Sequence, residues 1–299
     1  MDRDTGNLGK GVLFVFLANL GWSLSGVFVR FLPGLTGWQL NCWRGLATSI
    51  FLALFLVAVY RGSLWARLRE TPLVAVLLCA SFFALGSTLY VTSLTLTSTA
   101  NVACIGSLAP ILAAMLSSAV TGERPPPSAF IAALLAIAGV AIIVWDGLGD
   151  GNWLGSVVAL LVALCFALQT LAIRRYRQFD MVPAICLGGL MVFAVAALVG
   201  DGLSVPAQAI ATLSLMGVVQ LAIPLIFFVR AARHLPAVTI TLLAMLDIVL
   251  NPLWAFIGTG ERPAPMTWIG GGVMVLAIVI GVVAPAIRQH RGQPAASTT

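Results

Sequence analysis

The chain has 299 residues, of which 60% are hydrophobic and only 9% charged. A soluble domain carries about 25% charged residues, so a water-facing surface is excluded and the bilayer is the expected solvent. The excess of 16 basic over 10 acidic residues includes a single lysine, Lys10, and forms no basic patch interleaved with aromatics, so it points to membrane topology and not to nucleic acid.

A transmembrane helix needs about 20 mostly apolar residues. Ten segments meet that length, at roughly 11–29, 38–60, 72–93, 99–120, 128–145, 153–173, 182–200, 210–230, 237–258 and 265–287. The first is too long for the apolar core of a signal peptide and reads as a retained span. Pro33-Gly34, Arg61-Gly62, Pro125-Pro126-Pro127, Gly147 to Gly151 and Gly200-Asp201-Gly202 supply the turn residues of the linkers. Ser93 to Thr99 leaves room only for a tight helical hairpin between the third and fourth segments. The chain after Arg288 is polar, and 291–299 reads as a mobile tail. Cys42, Cys79, Cys104, Cys165 and Cys186 all lie inside apolar runs without a CxxC pair, and His234 and His290 lack ligand spacing. Neither a disulfide framework nor a metal site is expected.

Lys and Arg set the orientation. With the N-terminus in the cytoplasm, the inside segments hold thirteen of these residues and the outside segments hold two, Arg30 and Arg262. That bias predicts a multi-pass protein of the cell inner (plasma) membrane with both termini cytoplasmic.

Thr121-Gly122-Glu123-Arg124-Pro125 returns as Thr259-Gly260-Glu261-Arg262-Pro263, 138 positions later. A repeat of nearly half the chain implies one unit used twice, here 1–146 and 147–290. Five spans per unit is an odd number, so the second unit sits upside down relative to the first. The two glutamates then lie a bilayer apart and cannot share a substrate. Glycine ends one helix, proline starts the next and the carboxylate suits a helix N-terminus, so each copy reads as a structural turn. The repeat also pairs Tyr90 with Phe228 and aligns Leu20-Gly21-Trp22-Ser23 with Leu164-Cys165-Phe166-Ala167. The expected fold is all-α and integral to the membrane, with ten transmembrane helices in two inverted five-helix repeats.

Ten spans in two halves, with Gly-Glu-Arg-Pro after spans four and nine, resemble the drug/metabolite transporter superfamily in its EamA-type branch. Leu108-Ala109-Pro110 in span four, Asp247 in span nine, and Glu123 and Glu261 carry the resemblance. The chain departs from the family pattern at Ala109, where an acidic residue is often found, and at Ile248, where proline is. The resemblance implies a transporter. The aromatic-rich spans are also similar to those of bacterial exporters of amino acids, aromatic ones included.

Several residues are candidates for substrate binding. Asp247 falls near the middle of span nine, where an ionisable group is a functional-site hypothesis by default. It either binds an ammonium or a coupling proton, or cross-links helices through buried hydrogen bonds; Asn251 shares its face. Arg44 lies about 9 Å below the outer face at 1.5 Å per residue. It either snorkels outward beside Trp43 or holds a substrate carboxylate. Asn19, Trp22 and Ser23 in span one, Phe166 and Gln169 in span six, and Tyr90, Asn101 and Gln220 have two readings as well, as cavity lining or as helix–helix contacts. Pro110, Pro224 and Pro252 each remove a backbone donor within a span. No catalytic signature is present, so an enzyme is not expected. No cofactor is expected either: Asp4 to Gly11 resembles a phosphate loop only superficially, lacking its first glycine and its Ser/Thr. The expected function is secondary transport of small amphipathic metabolites by alternating access, with amino-acid export first. A purine, vitamin or drug-like cation as cargo is the alternative within transport, and an intramembrane enzyme is the alternative outside it. The expected partners are a small-molecule substrate and the lipid bilayer.

Overall fold

The computed structural model describes residues 3–24, 28, 31–32, 34–97, 99–143, 153–201, 203–259 and 265–283. Among them every regular element is a helix. In chain order these are α1 (Arg3–Trp22), α2 (Gly37–Tyr60), the short α3 (Leu64–Glu70), α4 (Leu73–Leu96), α5 (Thr99–Gly106), α6 (Ala109–Val120) and α7 (Pro127–Ile143), followed by α8 (Trp153–Arg175) and α9 (Val182–Val199). Then come α10 (Ala207–Leu215), a π-helical segment Met216–Ala222, α11 (Ile223–Ala231), α12 (Ala237–Ala244), α13 (Leu246–Thr259), α14 (Pro265–Ile278) and a second π segment, Val279–Val283. Five of the described helical stretches are long and apolar enough to cross a membrane unaided, and shorter apolar helices account for the rest. Large apolar side chains also cover the outside: Leu54, Leu134, Leu198 and Ile257 are all exposed. Helices apolar both inside and out belong in lipid.

The closest packings come in matched sets. α2 packs on α9, and α7 on α14, each joining a helix to its counterpart in the other half. The α4–α8 contact has its mirror image in α1 against α11, and α9 on α4 has its mirror in α2 against the α10–π segment. A pseudo-two-fold axis therefore runs through the α2–α9 crossing. A Cβ built on Gly45 would lie 2.9 Å from the Gly189 carbonyl oxygen, and one on Gly189 would lie 3.0 Å from the Gly45 oxygen and 2.3 Å from Ser49 Oγ. Gly189 stands 144 positions after Gly45, the same offset that aligns Phe166 with Trp22. Small residues are how membrane helices come this close, because lipid supplies no hydrophobic force to press them together. The Ser49 hydroxyl donates to Cys186 O at 2.9 Å across the same seam. The α7–α14 seam follows the same logic with alanines, Ala129, Ala132, Ala133, Ala136 and Ala277 being buried there.

Loop contacts sort the helix ends onto two sides. At one end Thr36 caps α2 through a reciprocal bond with Gln39 and also donates to Asp201 at 2.9 Å. At the other end Tyr60 donates to Asp180. The linker between α4 and α5 is as tight as the sequence implies, and it packs against the start of α8, where a Cβ on Gly155 would lie 2.7 Å from Thr97 Cβ.

Replacing Gly189 with Val should force α2 and α9 apart, with loss of the monodisperse peak in detergent gel filtration. Gly272 has nothing within 4 Å of a built Cβ, so Gly272→Ala should elute and melt as the parent does. Equal behaviour of the two variants would mean that the crossing is not tightly constrained.

Candidate functional site

Three helices are irregular at the centre of the bundle. The fourth and ninth segments, expected as continuous helices, are each broken. α5 ends at Gly106 and α6 starts at Ala109, while α12 ends at Ala244 and α13 starts at Leu246. Met245, at the second break, stands 138 positions after Ser107, at the first, which is the spacing of the two TGERP copies. Pro110 explains the first break, since its ring cannot occupy the interior of a helix without displacing the carbonyl four residues back. Pro224 does the same in the eighth segment. Residue 220 is its i−4 position, and there the helix widens into the π segment Met216–Ala222. Lipid does not tolerate freed backbone carbonyls unless protein satisfies them or they line a cavity. Thr48 Oγ1 lies 2.9 Å from Gly217 O, and the Asn19 side chain donates to Leu243 O at 2.9 Å.

These irregularities surround a cavity of about 520 Å³. Its walls come from both halves. Trp22, Phe166 and Phe228 form one aromatic cluster, with Trp22 to Phe228 at 5.2 Å, Phe166 to Phe228 at 5.7 Å and Trp22 to Phe166 at 6.5 Å. Tyr90, Phe82, Ser87 and Arg44 line the same space, and Ser107, Gln169, Thr241 and Met245 close it from the broken helices and α8. The four aromatics Trp22, Phe166, Tyr90 and Phe228 are two repeat pairs, so the symmetry of the fold delivers them to one place.

Burial falls in one direction along two of the walls. On α4, Phe83 is buried, Ser87 half-buried and Tyr90 exposed; on the π segment and α11, Leu221 is half-buried while Leu225 and Phe228 are buried. The space is therefore shut toward the Glu123 end and widens toward the Tyr90 end.

Arg44 does not snorkel. Its guanidinium turns into the cavity, where Nη2 donates to Asn41 Oδ1 at 2.6 Å. Two further contacts, Nη1 to Gln220 Oε1 and Nη2 to Ser87 Oγ, are both long at 3.5 Å. Nε has no partner although it is buried. The Gln169 amide nitrogen, also buried, has none either. Asn41, three residues before Arg44, was legible as an i, i+3 polar pair; Gln220 was a candidate in its own right, but its meeting with Arg44, like that of Ser87, is between helices and only the fold brings it about.

The other candidates separate. Trp22, Arg44, Tyr90, Phe166 and Gln169 meet at the cavity. Asn19 and Ser23 do not line it. Asn19 is fully buried and ties α1 to α12, and Ser23 Oγ accepts from Trp254 Nε1 at 2.8 Å, tying α1 to α13. Asn101, Asp247 and Asn251 have backbones within α5 and α13, and their side chains lie outside the described residues. Asp247 nevertheless follows directly on the second break, between Met245 and Ile248, which both line the cavity.

Glu123 does more than end a helix. Its Oε1 pairs with Arg174 Nη2 at 2.7 Å and accepts from Arg174 Nε at 2.8 Å, while Arg174 Nη1 donates to Ala232 O at 2.6 Å. Arg177 stands 3.6 Å away. The first TGERP turn is thus bonded to the end of α8 in the other half, and Arg174 in turn ties that end to Ala232 after α11, on the side where the cavity is shut. Glu261 lies outside the described residues.

Comparisons with known proteins agree with this architecture. Residues 9–145 and residues 151–283 each match the model of the EamA-like transporter family. A protein of Pseudomonas aeruginosa named as an uncharacterized transporter is 27% identical over 269 residues, covering 86% of this chain and 88% of its own. A crystal structure titled only as that of a protein superposes with a TM-score of 0.81 at 17% identity over 95% of this chain and 99% of its own, a likeness of fold alone.

Asn19→Leu should leave the Leu243 carbonyl unpaired and cost about 1–3 kcal/mol. The expected result is a melting temperature lower by several degrees with ligand affinity unchanged, whereas Trp22→Leu should weaken affinity with little effect on melting. Thermal unfolding with and without ligand separates the two roles.

Proposed function

This chain belongs to the EamA-like transporter family, and we propose that within it the chain is a secondary transporter of small amphipathic metabolites, with amino acids as first choice and export as direction. The observation that carries this reading is the cavity at the meeting of the two halves. A cleft of 300–1,000 Å³ with aromatic walls and a few polar groups is the usual build of a small-molecule site. Stacking area comes from Trp22, Phe166 and Phe228, and Arg44 and Gln169 fix orientation.

Our reading of the mechanism is alternating access by the two inverted halves, 1–146 and 147–290. In inverted-repeat transporters one half rocks against the other about a fixed central site. The positive-inside count supports cytoplasmic termini in the inner (plasma) membrane, which puts Glu123 on the cytoplasmic side and the open end of the cavity outside. The Glu123–Arg174 pair is then the cytoplasmic tie between halves. It is 30% and 9% exposed on its two sides. Because Glu123 is half-buried, removing one partner costs less than the ~3–5 kcal/mol of a fully buried pair, and the loss falls on one of the two positions only, which shifts the population between them. The sequence places the same two residue types at equivalent register, Arg30 and Glu261, both outside the described residues. Substrate binding near Arg44, release of the tie, and closure around Tyr90 form the cycle.

The test is flux. Purified protein in liposomes should take up at least one amino acid of a labelled panel with saturable kinetics, and saturable uptake of none would overturn the choice of amino acids. The tie makes a separate prediction. Spin labels at Arg124→Cys and Gln178→Cys, both exposed positions, should report one short distance in the parent and an added longer one after Glu123→Gln. An unchanged distribution would remove the tie from the mechanism.

A further inference from the structure

Arg44 is the one charged side chain lining the cavity among the described residues. A guanidinium carries five N–H donors. Here one makes a bond of ordinary length, to Asn41, two reach 3.5 Å, and Nε makes none. Asn41, Ser87 and Gln220 are all neutral, so they hold the side chain without cancelling its charge. A buried cation with open donors and no counter-ion among the described residues is costly, and an acceptor with negative charge is the group that would offset it. The fork of an arginine matches a planar oxyanion bidentately. Around it the walls are Trp22, Phe166 and Phe228, whose rings offer stacking area, and among the described lining residues no side chain is a carboxylate that would pair with a second, positive charge.

From this we infer that Arg44 is the specificity-determining residue and that it reads a carboxylate: the substrate is an organic acid with an apolar, ring-sized body, and a free ammonium is not required. The inference rests on the transporter reading given above and narrows it. Amino acids qualify through their carboxylate, deaminated acids of the same body qualify equally, and amines are turned away because Arg44 repels them before any ring contact forms. The Gln169 amide, buried on the same cavity and without a partner for its nitrogen, is placed to take a polar group on the body.

Three ligands of one skeleton decide it: phenylalanine, 3-phenylpropionate and 2-phenylethylamine. With the full-length protein in detergent, both acids should raise the melting temperature in a dose-dependent way and the amine should not. Arg44→Lys keeps the charge but loses the fork and should weaken acid binding about 10- to 100-fold, and Arg44→Gln should abolish it. Stabilisation by the amine equal to that by the acids, acid binding that survives Arg44→Gln, or stabilisation by none of the three overturns the inference. If Arg44→Gln does not fold, the order of acid over amine on the parent protein decides alone. Liposome flux keeps the two readings apart. Acid binding without saturable flux of either acid counts against transport and leaves the carboxylate site standing. Flux of the amine at the rate of the acids leaves transport standing and sinks the carboxylate site.

Discussion

Gly45 and Gly189 meet backbone to backbone, each in contact with the other's carbonyl oxygen. Everything central to the molecule hangs on that crossing. In lipid, close approach is the source of attraction between helices, since the solvent is as apolar as the side chains. A crossing this close fixes α2 against α9. α2 in turn carries Arg44 and Thr48, and through Thr48 it meets the π segment at Gly217 O. The cation is therefore held on this seam, while the aromatic cluster of α1, α8 and α11 and the broken helices face it across the cavity.

The irregular backbone has a cost that the membrane makes severe, because no water is available to freed carbonyls. The molecule meets it with side chains of neighbouring helices. Asn19 reaches Leu243 O, 224 positions away and beside the break after Ala244, and the Thr48 hydroxyl lies 2.7 Å from Arg44 O of its own helix and 2.9 Å from Gly217 O of the π segment. The polar residues of α1 and α2 thus divide into those that mend the backbone and those that face the cavity. Arg44 is of the second kind, with Nε unpaired and two contacts at 3.5 Å.

The asymmetry between halves carries function as much as the symmetry does. Repeat symmetry brings two pairs of aromatics to one cavity, yet Arg44 has Gly188 at its equivalent position, so the cation stands on one side of the axis only. A symmetric pair of cations would repel each other across the space. At the shut end, Glu123 and Arg174 join opposite halves through charge-assisted bonds. Such bonds either form or break, which suits a two-position device better than graded apolar contact.

Much of this was legible in residue order. Sixty per cent apolar composition decides the solvent, segment length decides the helices, and the 138-residue return of TGERP decides that one unit is used twice. Trp22, Phe166 and Tyr90 could be named because repeat register and helical spacing are local properties. The rest depended on partners distant in sequence. Nothing near Asn19 says that its amide belongs to Leu243, and nothing near Glu123 says that it belongs to Arg174. Arg44 illustrates the divide: its depth follows from counting residues, but a long side chain can turn to either side, and Asn41, Ser87 and Gln220 turn it inward. Breaks after Gly106 and Ala244 likewise depend on whether neighbours can satisfy the freed carbonyls. The sequence by itself determined the solvent, the helices and their doubling; the tertiary structure decided which polar groups mend the backbone and which face the cavity, because only a folded neighbour can satisfy a hydrogen bond.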